Sequence, residues 1–253
     1  MRFFLALLIL TTALLATAAN AQTRLRAPTD SKWRGSFLAG YDFTVSGNVL
    51  SRAEGSILGL PTTTNGVKWG DAYGTPLAFG FDFAYANTQL TEIFGRITLT
   101  QADGKSLTIG ESGGIPLLAE FDSYSEFGIL GGYRWYFPEA SQFNLLTPYA
   151  GAFFGLKYVA AVNADISAPA APFAFNNQEL YSSGFIPSVG FNIGLLYPTT
   201  SNFALGIETG LTYQLSPKSG ETDFNGSATG LEKLSSGGGK IIIPVTFRAT
   251  LKM

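Results

Sequence analysis

The sequence has neither cysteine nor histidine among its 253 residues. Without cysteine the protein forms no disulfide and offers no thiolate nucleophile. Without histidine it lacks the commonest general base and the usual ligands of zinc and copper. A serine-lysine pair or a pair of carboxylates could still act in catalysis, but neither Lys157 nor any acidic pair lies in a recognisable motif. We therefore expect a protein that is not an enzyme and that needs no metal or cofactor.

The sequence also lacks, beyond residue 15, any apolar run long enough to cross a bilayer as a helix. At the N-terminus Arg2 precedes the apolar residues 3–15, and small residues follow up to Ala19-Asn20-Ala21. This is the order of a secretory signal peptide with an Ala-x-Ala cleavage site. We predict a cleaved signal peptide at residues 1–21, a polar lead at 22–31 and a single folded domain at 32–253.

Basic charge is not in excess either. The chain has 16 Lys and Arg against 18 Asp and Glu, and removal of the signal peptide takes away only Arg2, which leaves fifteen bases against eighteen acids. Proteins that bind nucleic acid present a basic face to the phosphates. Nucleic acid is therefore not an expected partner.

What the sequence does contain is strict alternation of large and small residues. In residues 76–86 the large side chains occur at every second position: Leu77, Phe79, Phe81, Phe83 and Tyr85. A β-strand sends successive side chains to opposite faces, so this spacing predicts a strand with one bulky apolar face. Eight such runs occur, at residues 32–45, 76–86, 90–100, 123–137, 147–159, 184–197, 202–215 and 240–253.

The connections between these runs alternate between long and short. The long ones, at residues 46–75, 101–122, 160–183 and 216–239, are predicted to be loops because they are rich in turn-forming residues. In the third, the prolines of residues 168–172 argue against regular pairing. Short turns at one end and large loops at the other are typical of an up-and-down barrel. We predict an all-β fold, an eight-stranded antiparallel up-and-down transmembrane β-barrel.

Charge decides which face of the barrel is expected to look outward. Lys240 and Lys252 lie at the ends of the last run. Ten charged residues lie inside the runs, all on the face that carries the small residues: Arg34, Asp42, Asp82, Glu92, Arg96, Glu126, Arg134, Lys157, Glu208 and Arg248. The interior of an eight-stranded barrel is too narrow for the rings of the opposite face. A charge on the lipid face costs about 2–4 kcal/mol for Arg or Lys near the midplane. We therefore expect the bulky face to meet lipid and the charges to form a network in the lumen. A soluble ligand-binding barrel or a soluble sandwich is the alternative.

Five acids and five bases in that network balance one another. We expect pairs such as Asp82 with Arg96, Glu126 with Lys157 and Glu208 with Arg248. Such pairs would plug the barrel, and the plug is the favoured interpretation because eight strands leave room only for side chains. Rearrangement of the same pairs could instead pass small solutes or ions.

The stretches GGYRWYF (131–137), TPYAGAFFGLKY (147–158) and TEIFGRITLT (91–100) resemble the small OmpA-like and opacity-type outer-membrane β-barrel proteins. The resemblance implies export to the outer membrane of a Gram-negative bacterium and contact with its lipid and lipopolysaccharide. It also implies assembly by the outer-membrane insertion machinery, which usually reads a terminal aromatic residue where this sequence has Met253. The implied function is structural and surface-interacting, through the long extracellular loops and with an unknown surface partner. A narrow porin-like channel is the alternative. Trp69 and Tyr73, in the first long loop, are expected to cap the barrel rim or to contact another surface.

Overall fold

The computed structural model describes residues 32–137, 146–170, 173–220, 222, 228–231 and 234–253. The predicted signal peptide and polar lead lie outside the described residues, as does most of the second short connection. Within the described ranges, no helix is long and apolar enough to cross a membrane.

The described residues contain seventeen strands, numbered along the chain, which fall into a barrel and a cap. The barrel strands are β1 (Trp33–Ser46), β6 (Leu77–Ala86), β7 (Thr91–Ala102), β10 (Tyr124–Tyr136), β11 (Thr147–Val159), β14 (Gly184–Pro198), β15 (Phe203–Gln214) and β17 (Lys240–Lys252). The strands between them are β2 (Asn48–Leu50), β3 (Ala53–Ile57), β4 (Leu60–Thr64), β5 (Val67–Lys68), β8 (Ser106–Ser112), β9 (Ile115–Phe121), β12 (Val162–Ala168), β13 (Phe173–Tyr181) and β16 (Ala228–Thr229). One helical turn, α1 (Trp69–Ala72), follows β5.

The eight barrel strands close on themselves in the order β1-β17-β15-β14-β11-β10-β7-β6, and every neighbouring pair is antiparallel. Each strand agrees with its predicted run to within two residues at either end. Closure pairs the first strand with the last, as in the register of Phe37 with Ala249. The predicted fold class is confirmed.

The outer wall of the barrel is apolar, as predicted from the alternation. Phe79, Phe81 and Phe83 on β6 are 41%, 49% and 48% exposed, and large apolar side chains on the other barrel strands are exposed to a similar degree. Such a continuous apolar surface far exceeds the patches that soluble proteins leave in water. The wall is therefore built to face hydrocarbon, and the predicted orientation of the two faces is correct.

A charge in the middle of this wall is expected to destabilise the barrel. Phe81 is central on β6 and lies beside Phe37 of β1 and Ile97 of β7. We expect Phe81→Arg to lower the free energy of unfolding by about 2–4 kcal/mol, because the guanidinium loses its water in the bilayer. Equilibrium unfolding in lipid vesicles measures this, with Phe81→Leu as the matched apolar control. Equal stability of the two variants would show that this face does not meet lipid.

The long connections are not the irregular loops that composition predicted. Seven of their strands form one antiparallel sheet in the order β13-β12-β9-β8-β4-β3-β16, and β2 pairs with β5. We call these elements, together with α1, the cap. The third connection is also corrected: Val162–Ala168 and Phe173–Tyr181 pair with each other, and Pro169 lies in a turn directly after the first of them.

The cap is built on a hydrophobic cluster that it shares with the ends of four barrel strands, through Ala102, Tyr124, Val159 and Ile186. Trp69, Ile109, Leu117, Ile166 and Leu180 are each at most 3% exposed and belong to one contiguous cluster. The turns that build its hairpins use positive φ, at Leu58-Gly59 and at Gly113-Gly114. Composition was misleading because Ser, Thr and Gly, which mark loops, here occupy strands whose pairing partners come from other connections.

Candidate functional site: the barrel interior and the cap above it

The ten charged residues predicted for the lumen all lie inside the barrel. None is more than 8% exposed, and Asp82, Glu92 and Arg134 are fully buried. Buried charges require partners, because an isolated ion in a low-dielectric interior is strongly unfavourable.

Asp82 on β6 is the centre of the network. Its carboxylate accepts hydrogen bonds from Arg96 at 2.5 and 3.0 Å, from Arg134 at 2.8 Å and from Arg248 at 2.7 Å. Arg96 lies directly opposite Asp82 on β7, whereas Arg134 and Arg248 reach it from β10 and β17, each two strands away around the barrel. The Asp82 carboxylate therefore links four strands, β6, β7, β10 and β17, through hydrogen bonds.

The carboxylates of Glu208 and Glu92 belong to the same network as Asp82. Glu208 pairs with Arg96 at 2.7 Å and with Arg248 at 3.1 Å, and it accepts a hydrogen bond from the Tyr149 hydroxyl at 2.8 Å. Glu92 pairs with Arg34 at 2.8 Å and also with Arg134.

The aromatic side chains of the interior pack on the guanidinium groups. Arg134 lies over the ring of Phe94 at 4.2 Å and over that of Tyr149 at 5.2 Å. The rings and the ion pairs occupy the lumen at this level, and a small cavity of about 50 Å³ remains beside Arg96 and Glu208.

A second cluster lies closer to the cap and is centred on Glu126. This carboxylate pairs with Lys157 at 3.0 Å and with Lys240 at 2.6 Å, and it accepts a hydrogen bond from Gln214 at 2.7 Å. Lys240 is 5% exposed. It was not included in the predicted network because it begins the last strand. Its parity, which it shares with Arg248, was the signal that could have found it.

The structure contains the three ion pairs named from the sequence. Asp82 with Arg96 is a direct cross-strand pair, and Glu126 with Lys157 and Glu208 with Arg248 are diagonal neighbours on adjacent strands. Asp42 differs: among the described residues its side chain forms no ion pair, and it accepts one hydrogen bond, from Thr100 at 3.2 Å.

Aromatic residues close the barrel mouth above these clusters. Trp69 of α1 stacks on Tyr73 with ring centroids 5.7 Å apart and contacts the rings of Tyr124 at 5.3 Å and Tyr181 at 6.0 Å. Trp69 and Tyr73 are each 3% exposed. They therefore cap the barrel rim, which was one of the two alternatives expected from the sequence. Burial, with the Asp122 carboxylate and Tyr181 nearby, raises the pKa of Tyr73 well above its usual range.

The chemistry of this site is that of a packed polar core. Except for Asp42, the acids accept several strong hydrogen bonds each, so they are held as carboxylates and have little capacity to act as bases. Among the described residues, no three acidic side chains are placed to hold a metal ion. The arrangement fits support of the barrel wall better than turnover of a substrate.

Comparison with known proteins finds similar solved structures, all at low sequence identity. No family model and no curated protein matches the sequence. Among solved structures, Neisserial surface protein A is 12% identical, with 87% of this chain and 97% of that chain covered and a TM-score of 0.43. OprG from Pseudomonas aeruginosa is 11% identical, covering 89% and 99% with a TM-score of 0.37. Ail, the attachment invasion locus protein of Yersinia pestis, is 13% identical, covering 86% and 99% with a TM-score of 0.34.

These similarities are too low to indicate a function. The fold is defined by the strand register, the closure and the apolar wall of this chain itself. The barrel is closed by eight antiparallel strands, its wall is apolar and its interior is charged. Closure pairs the strand backbones with one another around the barrel, and the apolar wall meets lipid on the outside. The chain is a transmembrane β-barrel of eight antiparallel strands.

Proposed function

We propose that the protein is a non-catalytic outer-membrane barrel that anchors a folded surface domain, the cap, for structural and surface-interaction roles. The observation that carries this proposal is that seven strands of the long connections form one sheet, packed on a hydrophobic cluster that lies mostly in those connections. Loops that served only to join strands would not need a core. A barrel filled with ion pairs supports the sheet without offering an open path.

The proposed partners are those that the barrel wall, the last strand and the cap would each contact. Outer-membrane lipid and lipopolysaccharide contact the apolar wall, and the insertion machinery engages the last strand during assembly. The cap faces the cell exterior, because outer-membrane barrels keep their short turns in the periplasm and their long connections outside. The proposal leaves the chemistry of the surface partner open.

Labelling of intact cells tests the orientation of the cap. Lys68 and Lys105 are exposed on the cap, whereas Lys157 and Lys240 are buried in the lumen. A membrane-impermeant amine reagent is expected to label the two cap lysines and to leave the two lumen lysines unmodified, as read by mass spectrometry of tryptic peptides. Labelling of the cap only after the cells are broken would overturn the proposed orientation.

A cap-face variant tests the surface-interaction role. Leu118 and Glu120 of β9 point away from the cap core, with Glu120 exposed. Cells that display Leu118→Ser with Glu120→Ser are compared with wild-type cells for adhesion to protein-coated and polysaccharide-coated surfaces. Weaker adhesion on one coating supports the role. Equal adhesion on every coating would favour a purely structural one.

The narrow channel is the alternative function, and conductance separates it from a plug. We expect purified protein in planar bilayers to give no current steps above the bare membrane, because the Asp82 and Glu126 clusters and the aromatic mouth lie in series along the lumen. An open porin in the same membrane is the positive control. Reproducible steps whose size changes in Glu208→Gln would establish a channel.

A further inference from the structure

The barrel wall is incomplete where β1 extends beyond the end of β6. Pairing between the two strands runs from Trp33 with Tyr85 to Tyr41 with Leu77, followed by one hydrogen bond from the Asp42 N–H to the Pro76 carbonyl at 3.0 Å. Beyond this point β1 continues to pair with β17. On its other side a recess of about 200 Å³ begins in the wall.

The recess combines aromatic walls with buried charge. Its lining includes Asp42, Phe43, Trp69, Tyr73, Tyr124 and Lys240. At its rim the exposed Lys105 donates to the Gly70 carbonyl at 3.4 Å. A cavity of about 150 Å³ accepts benzene, so this recess has room for a small aromatic molecule with a short side chain.

Asp42 is an acidic group in the recess with spare hydrogen-bonding capacity, and the buried indole N–H of Trp69 is a donor there without an acceptor in the described part of the chain. Asp42 is 8% exposed, yet its carboxylate accepts one hydrogen bond, from Thr100, while each of the other nine charges of the predicted network has an ion-pair partner among the described residues. A carboxylate can accept about four hydrogen bonds. Its unfilled positions favour a ligand that brings donors and positive charge.

Lys240 does not pair with Asp42, because its ammonium group already contacts other side chains. Its ammonium contacts Glu126 at 2.6 Å and the Tyr124 hydroxyl at 2.6 Å, and it lies over the rings of Trp69 at 4.8 Å and Tyr124 at 4.3 Å. The aromatic surfaces of this region thus already stabilise one ammonium group through cation–π contact.

We propose that the recess binds a small organic ammonium compound. The ammonium group pairs with Asp42, and the apolar part of the ligand lies against Phe43 and the ring edges of Trp69 and Tyr73. The gap beside β1 gives such a ligand access from the membrane rim without passage through the mouth. This ligand site is independent of the surface role proposed for the cap.

Three probes of the same size and different charge test the proposal: phenylethylammonium, 2-phenylethanol and phenylacetate. The sequence has three tryptophans, and Trp33 and Trp135 lie on the lipid face. In a Trp33→Phe, Trp135→Phe background, the fluorescence of Trp69 therefore reports binding in the recess alone. We expect phenylethylammonium to bind about tenfold or more tightly than the alcohol, because hydrogen bonds to a charged group are the stronger ones.

Asp42→Asn provides the second arm, with the exposed rim acid Asp103→Asn as its matched control. Heat-modifiable gel mobility shows whether each variant retains the barrel. We expect Asp42→Asn to remove the preference for the ammonium probe and Asp103→Asn to keep it. Equal binding of the three probes by the otherwise wild-type protein, or tightest binding of phenylacetate, would overturn the proposal without recourse to any Asp42 variant. Full preference in Asp42→Asn would overturn it as well.

Discussion

Asp82→Asn is expected to lower the free energy of unfolding by about 3–5 kcal/mol, the usual cost of removing one partner from a buried ion pair. The substitution keeps the shape of the side chain and removes its charge. Arg96, Arg134 and Arg248 then share one acceptor fewer while they remain enclosed in the barrel. The measurement is urea unfolding in lipid vesicles, followed by tryptophan fluorescence.

Two comparisons make this result specific to the network. Asp103→Asn removes an exposed acid at the rim and is expected to change stability by less than about 0.5 kcal/mol. The double variant Asp82→Asn with Arg96→Gln removes one charge of each sign, so it is expected to be less unstable than the sum of the two single variants. A loss below about 1 kcal/mol for Asp82→Asn alone would mean that these ion pairs do not hold the strands together.

Trp69→Ala is expected to unfold the cap while the barrel stays closed. Trp69 is 3% exposed and joins Tyr73, Tyr124 and Tyr181 over the mouth. Truncation of a buried Trp to Ala costs about 3–5 kcal/mol. Because most residues of the cluster around Trp69 belong to the long connections, the loss is concentrated in local opening of the cap. Trypsin is expected to cut after Arg52 and Lys105 at least about tenfold faster in this variant.

Trp33→Ala is the matched control, since Trp33 stacks on Phe83 at 4.9 Å but lies on the lipid face. It is expected to leave trypsin cleavage of the cap unchanged. The barrel is followed in parallel by heat-modifiable mobility, which both variants should retain. Loss of the closed barrel in Trp69→Ala would show that cap and barrel unfold as one unit.

Adjacent contacts in the lumen were predictable, and contacts across the lumen were not. Asp82 and Arg96 could be paired from the sequence because a short turn places them on neighbouring strands at matching heights. The bonds from Arg134 and Arg248 to Asp82 come from strands two positions away. They exist because closure brings inward-pointing side chains towards one axis, a geometry that alternation along a strand does not specify.

The cap was missed for a related reason. Residues 106–121 contain short alternating segments, but their partners on β4 and β12 belong to connections far away in the chain. Pairing between distant segments leaves only a weak local signal, so Ser, Thr and Gly indicated loop instead of strand. The burial of Trp69 and Tyr73 was an open alternative for the same reason.

The number of barrel strands, their direction, and the division of side chains between lipid and lumen can all be read from the sequence alone. These follow from alternation with a period of two and from the unfavourable energy of a charge in hydrocarbon, both of which are local properties of a strand. Three features became visible only in the folded structure. They are the charges that meet across the lumen, the sheet that the long connections form in the cap, and the position of Asp42 beside a gap in the wall. Those features depend on closure and on pairing between distant segments, and so on distances that no single strand contains.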